Sequence, residues 1–379
     1  MPDDLLYDAA IIGGGLAGLS LSIQLAREGY TVVLMEKEEY PLRRVCGEYI
    51  SMESWDFLES LGINLSSLGV SKIKTLEISS VKGRSFEQDL PLGGFGISRY
   101  LLDATLAGIA VRSGVALMQQ TRVNEMNYLN DEFIIGSSRG SIRAKVAAGC
   151  YGKRSNLDIK WKRPFTRSEK GKLNNYIGVK YHIRYDLPED RIALHNFRNG
   201  YCGIVKVEKD EYCLCYLTAA SNLKKSGNDL KKMEHSILSA NPHLHKIFRE
   251  CEMLWDTPVT ISQISYRRKS QVEDHVLMTG DAAGMITPLC GNGMSMALHG
   301  SKIAAALMTG FLQGNITRKK MEEEYARRWR TNFASRLRMG RAIQRMFGSV
   351  WLSNVLVKIG RSFPSVTRAL IRKTHGSSF

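Results

Sequence analysis

Gly13, Gly15 and Gly18 fall in the spacing G-x-G-x-x-G, and Glu36 closes the apolar run that comes next. Main-chain N–H groups at such a turn, aimed by the start of a helix, can cradle a pyrophosphate, and a following acid can take ribose hydroxyls. Gly13, Gly14, Gly15, Leu16, Ala17 and Gly18 are therefore candidate dinucleotide contacts, with Glu36 as the candidate ribose acceptor. A second glycine–aspartate run, Gly280-Asp281-Ala282-Ala283-Gly284, lies towards the other end of the chain. Metal chemistry is not expected, because His243 and His245 are close in sequence but lack partners at zinc-like spacing.

The surrounding sequence predicts the elements that would hold these residues. Residues 7–12 form a short apolar run suited to a buried parallel strand. Leu16, Leu19, Ile23 and Ala26 follow at helical spacing, Gly29 suits the helix end, and residues 31–35 form a second strand. A strand before the glycines, a helix after them and an acid at the next strand end distinguish a dinucleotide site from a chance glycine loop. Residues 275–279 read as another buried strand leading into the Gly280 run, and a helix rich in small residues follows. Further strands are expected at 72–90, 122–127, 132–135, 142–147, 176–185, 201–207, 211–217 and 259–266. Helices are expected after Arg99 and over 230–240. Nucleotide-binding segments thus alternate with sheet segments, which predicts interleaved domains.

The chain has 379 residues, 44% of them apolar and 24% charged, as in an ordinary folded protein with a substantial core. No apolar run approaches the roughly 18 residues that span a bilayer. The first strand begins so near Met1 that no signal peptide is expected, and seven scattered cysteines suit reduced thiols in the cytoplasm. The net charge is +16, and the chain from Arg318 onward carries fifteen Lys and Arg against Glu322, Glu323 and Glu324, a local balance of +12.

Taken with its second glycine motif, the sequence resembles the superfamily of FAD-dependent monooxygenases and geranylgeranyl reductases, with the p-hydroxybenzoate hydroxylase type of fold. Three blocks in order carry the resemblance: the N-terminal glycines, the helix led by Arg99, and the Gly280–Gly284 run. It implies FAD as cofactor and an α/β architecture, α+β overall. A Rossmann-type FAD-binding domain would be interleaved with an antiparallel-sheet substrate domain, and a helical C-terminus would follow. The implied divisions are 1–75, 97–158 and 268–315 for FAD, 76–96 and 159–267 for substrate, and 316–379 for a basic helical region. The resemblance places Gly280 and Asp281 at the ribityl chain. It sets Pro288, Gly291, Asn292, Gly293 and Met294 beneath the flavin ring, Arg44 and Arg99 along the cofactor, and Val123 facing the adenine. The plain alternative for Arg44 and Arg99 is a surface ion pair. Cys46 and Cys290 would lie near the ring, where a buried inert thiol is the commoner outcome.

Details lean towards the geranylgeranyl reductase and related dehydrogenase branch: Gly284 stands where aromatic hydroxylases more often have histidine, and Cys46-Gly47 follows a proline and basic residues. The tryptophan-rich motif of flavin halogenases is absent, which argues against halogenation. Two departures matter. Tyr151 occupies the place of an aspartate linked to FAD and pyridine nucleotide in the hydroxylases, which argues against NAD(P)H as electron donor. Gly203 replaces a tryptophan of the isoprenoid reductases, so geranylgeranyl itself is not supported as substrate. The expected activity is FAD-dependent reduction, dehydrogenation or monooxygenation of a hydrophobic lipid-, isoprenoid- or polyketide-like molecule. The alternatives are an NAD(P)H-dependent aromatic hydroxylase, or a flavin-binding membrane- or RNA-associated protein without turnover. His299 reads as a packing residue, and no general acid or base stands out.

In the tail, Ile343, Met346, Phe347, Val350 and Trp351 form an apolar stripe flanked by arginines. A basic amphipathic helix with tryptophan suits an anionic membrane surface, so contact there is one expectation. A helix packed over the substrate domain is the other. Nucleic acid is not the expected partner, since no stacking-aromatic module accompanies the charge.

Overall fold

The computed structural model describes residues 5–166, 176–264, 266–287, 291–344, 347–374 and 376–379. Leu6–Ile12 lies at the centre of the first sheet, parallel to Val32–Met35 on one side and Gly140–Gly149 on the other, with Ala9 level with both Val32 and Val146. Ala116–Met118 extends one side and Val276–Met278 the other, both parallel, with the short antiparallel strand Val272–Glu273 beyond the latter, while Val123–Leu129 and Glu132–Ser137 form a hairpin joined to Gly140–Gly149. Central strands of such a sheet are covered on both faces and read as continuous apolar runs, as residues 9–12 and 32–35 do. Helix Leu16–Arg27 packs against helix Gly293–Leu312, where the Ser20 and Ser301 hydroxyls meet at 2.6 Å. The two glycine motifs, far apart in sequence, thereby come to the same end of one sheet.

The second sheet runs Glu252–Met253, Tyr176–Arg184, Tyr212–Ala219, Gly200–Lys206, Arg191–Phe197, Ser71–Ser79, Ser85–Gly96 and Tyr49–Ser51, and Val259–Ile264 also pairs with Tyr176–Arg184. Its pairings are antiparallel except for Arg191–Phe197 against Ser71–Ser79. Both faces are covered. Ile183, Phe197, Ile204 and Leu214 pack with Met233, Leu238, Leu244 and Ile247, while Ile78, Phe86, Leu194 and Leu217 pack with Val357 of the tail. The architecture is α/β, with two sheets and a helical C-terminus of Arg318–Gln344, Val350–Ser362 and Pro364–Thr374. Among the described residues no helix is long and apolar enough to cross a membrane.

The structure differs locally from the sequence expectation at three places, the first two for clear physical reasons. Arg191–Phe197 gives no strand signal in the sequence because its buried polar residues break the apolar run: His195 Nδ1 meets Ser79 Oγ at 2.9 Å, and Asn196 donates to the Ser79 carbonyl. The helix expected over 230–240 is present, α-helical at Leu230–Met233 and widened to a π-helix at Glu234–Leu238, where Glu234 accepts from the Tyr181 and Tyr216 hydroxyls. The boundary expected at residue 75 falls inside the strand Ser71–Ser79.

Candidate active site

The turn between Leu6–Ile12 and helix Leu16–Arg27 owes its shape to contacts that leave no room for side chains. A Cβ on Gly18 would lie 2.0 Å from the Gly13 carbonyl oxygen, and one on Gly14 would lie 2.0 Å from the Tyr40 hydroxyl, which donates to the Gly14 carbonyl. Gly15 differs: its nearest neighbour would be Arg99 Nη2 at 3.7 Å, so its missing side chain leaves space over the helix start. Glu36 is buried and accepts from Gly14 N at 2.7 Å, Arg44 Nη2 at 3.1 Å and Glu38 N at 3.1 Å. Arg44 reaches on to Asp103 at 3.4 Å, and Arg99 holds the same buried carboxylate with two hydrogen bonds of 2.7 and 2.8 Å. The two arginines therefore form one largely buried network with Glu36 and Asp103 rather than surface pairs.

Gly13, Gly15, Leu16, Ala17 and Glu36 line a cavity of about 1500 Å³, together with Arg44, Arg99 and Val123. Gly280, Asp281, Gly291, Gly293 and Met294 line it from the other motif. Gly14 and Gly18 shape the turn from behind, and Asn292 is buried just ahead of helix Gly293–Leu312. Pro288 and Cys290 lie outside the described residues. The Asp281 carboxylate has no hydrogen-bond partner among the described residues, although its main-chain carbonyl accepts from Lys269 Nζ at 2.7 Å. Burial raises the Asp281 pKa against the pull of Lys269, Arg99 and Lys153. Burial lowers Lys153 and Lys269 to about 8 each. An acceptor carboxylate at one end and an open glycine turn with a ribose-type acid at the other fit the two halves of an adenine dinucleotide.

Tyr151, which breaks the family pattern, is anchored rather than free. Its hydroxyl donates to Asp158 at 2.8 Å, and Arg163, fully buried, donates to Asp158 at 2.7 Å, Ser270 O at 2.9 Å and Ala282 O at 3.2 Å. That network ties the Gly280 loop to the segment following the first sheet.

Sequence reasoning missed the charge layer between residues 43–48 and the second sheet. Glu48 is wholly buried, with φ +55°. It accepts from Lys180 Nζ, from Arg99 N at 2.7 Å and from His182 Nε2 at 2.7 Å, and His182 Nδ1 meets Glu211 at 2.9 Å. Burial opposes the charge on Glu48, but Lys180 and His182 outweigh it and hold its pKa below the ordinary carboxylate value. Lys180 is raised in turn, its burial outweighed by Glu48. Trp255 stacks on His182 at 4.4 Å. An available signal was the pair of polar residues Lys180 and His182 at alternate positions inside a mostly apolar strand. Nearby, Cys46 Sγ lies 3.6 Å from Met294 Sδ, and burial raises its pKa. His299 packs between Phe333 and Phe379, and burial lowers its pKa to about 4.

Beyond this polar arm the cavity continues between the second sheet and the tail. Leu76, Ile78, Phe86, Leu194, Tyr201 and Leu217 line it from the sheet, Ile343, Leu356 and Ile359 from the helices, and Phe347 from the turn between them. Gly203 also lines it.

Residues 6–337 match the FAD binding domain family. The chain is 26% identical to conditioned medium factor receptor 1 of Dictyostelium discoideum, over 89% of this chain and 70% of that one. It is 23% identical to digeranylgeranylglycerophospholipid reductase 1 of Methanothermobacter thermautotrophicus, over 83% and 80% of the two chains. A flavin-dependent brominase superposes with a TM-score of 0.81 at 20% identity, covering 99% of this chain and 94% of the other. At that identity the likeness concerns the fold.

Proposed function

We propose, from the premise that this chain belongs to the FAD binding domain family and is an FAD-dependent oxidoreductase, that it acts on a hydrophobic small molecule held in the apolar arm of the cavity. The observation that carries the reading is the continuity of that arm with the polar arm bounded by the two glycine motifs. A substrate lying among Leu76, Phe86, Leu194 and Leu356 would present one end to the cofactor site while its apolar surface stayed out of water.

In this proposal Gly13–Gly18 and the start of helix Leu16–Arg27 hold the pyrophosphate, Glu36 the adenosine ribose and Asp281 the ribityl chain. Gly291, Asn292, Gly293 and Met294 sit under the ring at the N-terminus of helix Gly293–Leu312, where the helix field favours negative charge. FAD supplies hydride or oxygen-transfer chemistry when bound. The protein's part is to orient the substrate and exclude water, and Arg44 and Arg99, fixed by Glu36 and Asp103, keep positive charge beside the cofactor site. In the same proposal, a hydrophobic substrate and a strongly basic tail favour contact with a membrane surface.

Anaerobic mixing of the yellow holoprotein with NADPH or NADH, followed by oxygen, tests the reading. A flavin that resists both nucleotides yet is bleached by dithionite indicates another donor and a reductase or dehydrogenase role. Rapid bleaching followed by an oxygenated flavin spectrum indicates a monooxygenase. A flavin that no donor reduces contradicts the proposal.

A further inference from the structure

Helices Val350–Ser362 and Pro364–Thr374 present different chemistry inward and outward. Leu356, Ile359, Val366 and Ile371 line the apolar arm. Yet Val350, Trp351, Phe363 and Val366 are exposed, with Trp351 at 70% and Phe363 at 57%. Single exposed apolar residues are ordinary, but a group of them rimmed by polar residues marks an interaction surface. Around these residues Lys358, Arg361, Arg368 and Arg372 are exposed, and none pairs with an acid among the described residues. From Tyr325 to the last residue the sequence has twelve Lys and Arg and no Asp or Glu. Apolar side chains set among unneutralised cations complement an anionic lipid surface, which offers phosphate at its face and hydrocarbon beneath it.

Val366 has a second property. It lines the apolar arm and is also 47% exposed, so the arm reaches the surface beside it. Ile371 lines both the arm and a small surface hollow with Leu90, Leu92 and Arg372, and Leu92 is itself 38% exposed. An apolar mouth thus opens at the junction of the two helices, on the same basic face.

We infer that this junction is a portal: the two helices dock on an anionic bilayer, and an amphiphile with an extended hydrocarbon chain passes directly from the bilayer, beside Val366, into the apolar arm. The portal rests on the hydrophobic-substrate reading; the docking stands on the exposed face alone. The polar end of the amphiphile is left near Arg368 and Arg372 or drawn towards the cofactor site, according to which end enters first.

The test uses FAD-loaded full-length protein and two readouts. In sedimentation with phosphatidylcholine vesicles containing about 30% phosphatidylglycerol, binding should exceed that to pure phosphatidylcholine and fall with salt. Arg361→Gln with Arg368→Gln should weaken it by about 30-fold, from roughly fivefold per surface cation. Phe363→Ser should weaken it by about tenfold, because a chain half out of water inserts less apolar surface. Equal binding to both vesicle types, or none, overturns the docking. Sensitivity to the arginines but not to Trp351→Ser or Phe363→Ser, with tight binding of an RNA oligomer, overturns it in favour of nucleic acid. In the second readout, entry of the fluorescent fatty acid cis-parinaric acid is followed by stopped flow without vesicles. Val366→Trp should abolish the fast phase without weakening vesicle sedimentation, because the larger side chain keeps apolar surface on the docking face. Unaltered entry in that variant overturns the portal while leaving the hydrophobic-substrate reading intact. No uptake by the unaltered protein instead contradicts the substrate reading and the portal together, and sedimentation still decides the docking.

Discussion

Replacing Lys180 with methionine removes one of the partners of a carboxylate that has no water to fall back on. Glu48 is 0% exposed, and its remaining donors are Arg99 N and His182 Nε2, each at 2.7 Å. Breaking a buried ion pair by deleting one side costs about 3–5 kcal/mol, and the two surviving hydrogen bonds to charge offset part of that, leaving about 2–3 kcal/mol at neutral pH. The pH dependence follows from the direction of the shift. In the parent protein the Glu48 pKa lies below its ordinary value, so its contribution is complete above the unfolded pKa of about 4.3 and is lost as pH falls through the folded value. Without Lys180 the carboxyl takes a proton more readily, which relieves the penalty, so the stability gap between parent and Lys180→Met should narrow on acidification. Urea denaturation followed by far-UV circular dichroism at about pH 7.5 and about pH 4.5 measures both gaps. Glu48→Gln added to Lys180→Met should recover much of the loss, since it removes the stranded charge. A gap below about 0.5 kcal/mol at neutral pH, or one that widens in acid, would refute the reasoning.

Gly15→Val should leave the fold within about 1 kcal/mol, as a poorer helix cap, yet abolish flavin retention, because its methyl groups enter the space over the helix start. Flavin content and thermal midpoint measured on one sample check both halves; a yellow variant contradicts the placement of the pyrophosphate. Arg163→Met should cost about 3–5 kcal/mol by stranding Asp158, which is fully buried. It should also loosen flavin binding through the Ala282 carbonyl, with Asp158→Leu in the same chain restoring stability but not flavin binding. Recovery of both properties in the double variant would show that the network has no hold on the Gly280 loop.

The first glycine turn and its flanking elements were legible because their signals are local: apolar runs for buried strands, helical spacing after Gly15, an acid at the next strand end. The family resemblance supplied the second motif, which no local pattern assigns to the same cavity. What stayed hidden depends on contacts across long sequence separations. The Glu48–Lys180–His182 layer joins residues more than a hundred positions apart, and each alone reads as a surface charge. Arg191–Phe197 was hidden for a similar reason, since His195 and Asn196 are buried only because Ser79 and Asn241 satisfy them. In the tail the apolar stripe was visible, but its division between a cavity lining and an exposed basic face arises only when the helices lie on the second sheet. Tyr151 was visible as a departure; its anchoring by Asp158 and Arg163 was not.

Titration of FAD into the flavin-free protein and its Asp281→Ala variant tests the central claim most directly, because Asp281 is the acceptor that the cavity leaves open between the two glycine motifs. Loss of a hydrogen bond to a charged acceptor, about 1.5–3 kcal/mol, should raise the dissociation constant by roughly 10- to 150-fold with the thermal midpoint of the flavin-free protein little changed. An unchanged dissociation constant would contradict the account, since the cofactor would then not span the cavity from Gly15 to Asp281.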